Sequence, residues 1–174
     1  MRRHRASTAV WRKAMGWACV LSVWLGTAGW SCGDELPTKR VLTLEVARKV
    51  AQAAEQHARA NGWNVCIAIV DDGGHLVFFQ RMDGVQTGSV IVSQRKAQTA
   101  IGFKRPTKVF EEQVAGGRHA LLGLPGAVPL EGGVPLVVDG QMIGAIGISG
   151  VTAQQDGQIA QAGADALATI VRGL

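Results

Sequence analysis

Few residues in this chain have types and spacing that suit chemistry. His57 lies three helical turns after Val46, which places its imidazole on the apolar face of a helical segment. An imidazole there either hydrogen-bonds a backbone group in the core or faces a pocket as a ligand to iron. Two cations stand in otherwise apolar surroundings: Arg81, in Arg81-Met-Asp-Gly84, and Lys96, which shares a helical face with Val92, Thr99 and Phe103. A cation on a partly buried face needs an acid partner, such as Asp83, or an anionic ligand. With Arg81 and Lys96 as a pair of carboxylate clamps, that ligand would be a small organic acid.

Asp71, Asp72, His75 and Asp83 are close enough in sequence to ligate a metal, but Asp71-Asp72-Gly73-Gly74 is also what a tight turn requires. Gly144-x-x-Gly147-x-x-Gly150 runs along a strand-like stretch and does not open a helix. It therefore reads as close packing of a helix on a sheet, not as a phosphate loop. No Gly-x-Ser-x-Gly, Cys-x-x-Cys, His-Glu-x-x-His or Walker sequence occurs. With no nucleophile–base pair visible, a binding protein is favoured over an enzyme.

The elements that must position these groups follow from local signals. Thr43 opens a helix to about residue 60, and Asn61-Gly62 ends it. Residues 65–70 form an apolar strand, and 75–82 return as its partner across the Asp-Asp-Gly-Gly turn. Ser89 caps a second helix to about Phe103, Pro106 stops it, and a short helix covers 108–115. The Gly- and Pro-rich stretch 121–135 has no helical period and is expected to form an irregular strand and loop. A second hairpin joins 134–138 to 141–149 through Asp139-Gly140, a type I′ signature. Thr152 or Gln154 opens the last helix, to about Arg172. Helices flanking antiparallel hairpins define an α+β domain.

Composition excludes other classes. Apolar residues are 47% and charged residues 18%, too apolar for a disordered chain. The net charge of +5 lies entirely in residues 1–33, which carry Arg2, Arg3, Arg5, Arg12 and Lys13 and no acid. The remainder holds as many basic as acidic residues, so no basic patch is left for nucleic acid. The charged start is followed by 17 uncharged residues, from Ala14 to Trp30, and then by small residues, the pattern of a cleaved signal peptide. The chain therefore divides into a signal segment (1–33), a short leader (34–42) and one domain (43–174). The expected destination is the periplasm or the medium, with membrane contact only through the signal segment. Cys66, in an apolar run, is expected to be a buried free thiol.

The motifs Ile69-Val-Asp-Asp-Gly-Gly-His-Leu76, Arg81-Met-Asp-Gly84, Lys96-Ala-Gln-Thr-Ala100 with Phe103, Pro106-Thr107, Gly132-Gly-Val-Pro135, Asp139-Gly140 and Gly144-Ala-Ile-Gly-Ile-Ser-Gly150 occur in one order. In that order they resemble the GlcG/HbpS-like family of haem-binding proteins. The resemblance runs from Leu44 to Leu167. It implies a profilin-like three-layer α/β/α fold with a five-stranded antiparallel sheet, and assembly into homo-oligomers. Family members include secreted haem binders that feed redox-sensing systems, which implies a sensor partner protein. Others come from glycolate operons or are fused to cobalamin adenosyltransferases. In the haem binders a histidine on the first helix looks like the axial ligand, and His57 matches that position. The resemblance thus implies haem as cofactor with His57 as its ligand; Arg81 and Lys96 are taken as further ligand-binding residues for their charge in apolar surroundings. One departure is visible: Gly157 stands where the family often has a second acid after Asp156. The apolar segment 121–136 has one charge, Glu131, and seven large aliphatic residues, so a homo-oligomer contact is expected there.

Overall fold

A computed structural model describes residues 36–173; the signal segment expected at 1–33 lies outside the described residues. The elements are α1 (Leu44–Ala60), β1 (Cys66–Asp71), β2 (Leu76–Arg81), α2 (Ser89–Gly102), α3 (Lys108–Ala115), a 3-10 turn (His119–Gly123), β3 (Gly133–Val138), β4 (Gln141–Ser149) and α4 (Ala153–Arg172). Among the described residues no helix is long and apolar enough to cross a membrane.

The four strands form one antiparallel sheet in the order β2-β1-β4-β3. Strand alternation then dictates three layers, because successive side chains leave opposite faces. Ile67, Ile69, Ile146 and Ile148 point into a core shared with Val50 and Ala54 of α1 and Ile159 and Leu167 of α4. Val70 and Ala145 point the other way, onto Ala97, Ala100 and Ile101 of α2. The four isoleucines are fully buried, each stabilising the fold by about 1.5–3 kcal/mol relative to exposure.

Local chemistry sets the boundaries. The Thr43 hydroxyl accepts from Val46 N–H at 3.3 Å, and Thr152 with Gln155 makes a reciprocal capping box on α4. Asp139 and Gly140 both adopt positive φ, 48° and 78°, as the type I′ turn demands. Asp71 holds the first hairpin: its Oδ1 accepts from Gly73 N–H and His75 N–H, each at 2.9 Å. Burial pushes its carboxyl pKa up, but the bonds from His75 and Gly73 outweigh this, and the value ends below the ordinary one.

Gly147 explains the glycine spacing on β4. A Cβ there would run into Ser93 O and Ala97 N of α2, so only glycine lets that helix lie on the strand. Gly147→Ala should therefore cost about 3 kcal/mol or more, at the upper end of overpacking effects. Urea unfolding checks this; a change below about 1 kcal/mol would show that α2 does not depend on that approach.

Two expectations need correction. The sheet has four strands among the described residues, not five. The stretch expected to hold the fifth forms the 3-10 turn and a loop, because Pro125 and Pro129 lack N–H groups and Gly126 turns the chain at φ 77°. Its backbone is satisfied by a side chain instead, with Val128 N–H donating to Thr99 Oγ1 at 3.0 Å. Ser89 is also not a cap. The N-cap of α2 is Gly88, which has no side chain to offer, and the Ser89 hydroxyl is engaged elsewhere.

Candidate functional site

The last turn of α1 carries His57. Its imidazole is half-buried and has no side-chain hydrogen bond to protein among the described residues. Its ring centroid lies 6.3 Å from that of Trp63, tilted by 55°. The histidine is thus not a core residue satisfied by a backbone group. Ala53, one turn earlier on the same row, lines a groove of about 270 Å³ between α1 and α4, with Lys49, Gln52, Ala166 and Ile170. The site offers a half-buried imidazole beside an indole, one helical turn from a groove of mixed polar and aliphatic lining.

Lys96 has gone to a different place. It is 2% exposed, and its Nζ donates to Asp156 Oδ2 at 2.7 Å, with Asp156 equally buried. The acid partner is therefore Asp156; Asp83 is exposed on its loop. Val151 N–H donates to the other oxygen, Oδ1, at 3.2 Å. Burial raises the Asp156 carboxyl pKa above its ordinary value, and the Lys96 ammonium offsets this only in part. Gly132, at φ 127°, makes room for the pair: a Cβ there would meet Lys96 Nζ at 2.8 Å and the Asp156 Cβ at 2.9 Å. Where Gly157 stands in for a second acid, the Glu131 side chain fills the space.

Arg81 is exposed at the end of β2, and its Nη2 donates to Val85 O at 2.9 Å. It ties a loop to the sheet and is not among the residues lining the cleft that holds Lys96, so the two cations do not form the expected clamp there. His75 and His119 are exposed, and no three His, Cys, Asp or Glu side chains among the described residues come together as a metal group. Cys66 is free and buried, and burial pushes its thiol pKa up.

The comparison with known proteins adds to this geometry. A family described as "Haem degrading protein HbpS-like" matches residues 42–165. The chain belongs to the HbpS-like family. Protein GlcG of Escherichia coli K12 is 47% identical over 114 residues, covering 66% of this chain and 85% of the relative. The crystal structure of HbpS superposes with a TM-score of 0.70 at 36% identity, covering 78% of this chain and 96% of that one. A PduOC–haem complex superposes at 0.66 with 30% identity, covering 73% of this chain and 95% of that one. HbpS-like membership accounts for the three layers and for the order of the motifs along the chain.

Residues that sequence reasoning did not bring together are Asp156, which pairs with Lys96, and Ser89 and Ser149, which line a cleft with it. Asp156 lies 60 positions from Lys96, and no local periodicity links them.

Proposed function

We propose that this protein binds haem or a related tetrapyrrole, with His57 as the axial ligand, and that it does so after export. The observation that carries the reading is the half-buried His57 imidazole, without a hydrogen-bond partner among the described residues, beside Trp63 on an HbpS-like fold. The residues fit the group: an imidazole nitrogen is a good ligand for iron, and the Trp63 ring beside it supplies apolar surface for a macrocycle edge. The related haem complex of PduOC supports the same reading. Export rests on the charge and apolar pattern of residues 1–33.

The test is co-elution. Protein mixed with hemin and passed through a desalting column should retain a Soret band at constant stoichiometry. A band that forms and then bleaches in aerobic reductant would mark haem turnover instead of carriage, and no retained band would end the proposal.

His57 lines none of the ligand-sized cavities among the described residues, and the α1–α4 groove one turn away holds only about 270 Å³, so a second copy of the chain is proposed to complete the enclosure. The apolar segment 121–136 supplies less exposed surface than its composition suggests. Val134 and Leu136 are buried in the sheet, while Leu122 and Leu130 remain 64% and 44% exposed. Light scattering should give the mass of a dimer or a larger closed assembly, and Leu122→Lys should lower it. A monomeric wild-type mass would remove this part of the reading.

A further inference from the structure

The cleft between the N-terminal ends of α2 and α4 holds hydrogen-bond donors that the protein does not fully use. It encloses about 430 Å³, and His57 is not among its lining residues. Its polar wall is Gln86, Ser89, Lys96, Ser149 and Asp156; Val92 and Leu130 are among its apolar walls. Asp156 is the one carboxylate lining it, and both oxygens are engaged, by Lys96 at 2.7 Å and by Val151 N–H at 3.2 Å. The Lys96 ammonium has three N–H donors. Asp156 takes one, and among the described residues Lys96 has no second protein acceptor.

The hydroxyls show the same surplus. Ser149 Oγ donates to Ser89 Oγ at 3.1 Å, and Gln86 Nε2 donates to that same oxygen at 3.2 Å. One of the two hydroxyl protons is used between the serines; the other has no protein acceptor among the described residues. Lys96 and Ser89 are 2% and 1% exposed and each already has a partner, so what remains is spare N–H and O–H capacity at a buried position. Two helices, of 14 and 20 residues, begin at the cleft and present their positive ends to it.

We propose that this cleft binds a small monocarboxylate, its head group held by Lys96 Nζ and the Ser89–Ser149 hydroxyls and its apolar body against Val92 and Leu130. The charge selects the class. Lys96 is already half of a neutral pair, and no arginine lines the cleft, so it suits a single negative charge and not a phosphate dianion. The site replaces the Arg81–Lys96 clamp with a donor set drawn from α2 and β4, and it does not depend on the haem reading.

Calorimetric titration of the full chain with acetate, isovalerate and benzoate tests it, with benzyl alcohol and inorganic phosphate as controls. At least one carboxylate with an apolar body should bind with Kd of about 1 mM or tighter, and both controls about tenfold more weakly or not at all. Ser89→Ala combined with Ser149→Ala should weaken that carboxylate about tenfold while leaving the circular dichroism spectrum unchanged, and His57→Ala should leave its affinity unchanged. The proposal is overturned if none of the three binds, if benzyl alcohol or phosphate binds as well, or if the folded double serine variant keeps full affinity.

Discussion

Lys96→Met is expected to remove about 3–5 kcal/mol of folding stability near neutral pH, because it leaves the Asp156 charge buried without its partner. Both side chains are almost wholly out of water, at 2% and 3% exposure, so solvent cannot take over the role of the ammonium. Replacing both members, Lys96→Met with Asp156→Leu, should recover much of the loss, since an apolar pair of similar volume removes the unpaired charge.

The pH dependence has a definite sign. Burial already holds the Asp156 pKa above its ordinary value in the folded protein, against the pull of Lys96. Between the unfolded and folded values the folded state binds more protons, so this group's contribution to stability falls as pH rises through that interval. Removing Lys96 raises the folded value further and extends the interval upward. The deficit of Lys96→Met should therefore be larger at about pH 7.5 than at about pH 4.5, where Asp156 can take up a proton. Urea unfolding at the two pH values measures it; a deficit that does not change with pH would show that the loss is one of packing rather than of charge.

His57→Ala should act on ligand affinity and leave the fold intact. The imidazole is half-buried and makes no side-chain hydrogen bond among the described residues, so its removal should cost under about 1 kcal/mol of stability. Its effect on hemin should be far larger. Changes to groups that merely orient a ligand to a metal typically cost about 10–100-fold in affinity, and loss of the ligand itself should reach at least about 100-fold. Trp63→Ala removes a neighbouring ring but no donor to iron, and should fall between wild type and His57→Ala.

What could be read from the sequence was what is decided locally. Thr43, Thr152 and the Asp139-Gly140 turn act within a few residues of themselves, and each stands where its chemistry predicts. Gly147 was legible as a packing glycine, because its strand context excluded a phosphate loop. The stretch 121–135 was misread because apolar composition without helical period fits a strand as well as a tucked loop; Thr99, from a distant helix, satisfies it as a loop. Ser89 looked like a cap because the local signal was right, but its hydroxyl meets Ser149, 60 residues away. The same distance hid Asp156 from Lys96 and left Asp83 as the obvious local partner. For His57, position on the helix left two readings open. The half-buried ring beside Trp63, with no backbone partner among the described residues, favours the ligand reading over the core one.

The proposed haem site is tested most directly by absorbance titration of hemin into wild-type protein and into His57→Ala under the same conditions. Wild type should develop a sharp, red-shifted Soret band that saturates at fixed stoichiometry, and His57→Ala should lose that shift and bind at least about 100-fold more weakly. Superimposable titrations for the two proteins, or no Soret shift with wild type, would contradict the assignment of His57 as the axial ligand.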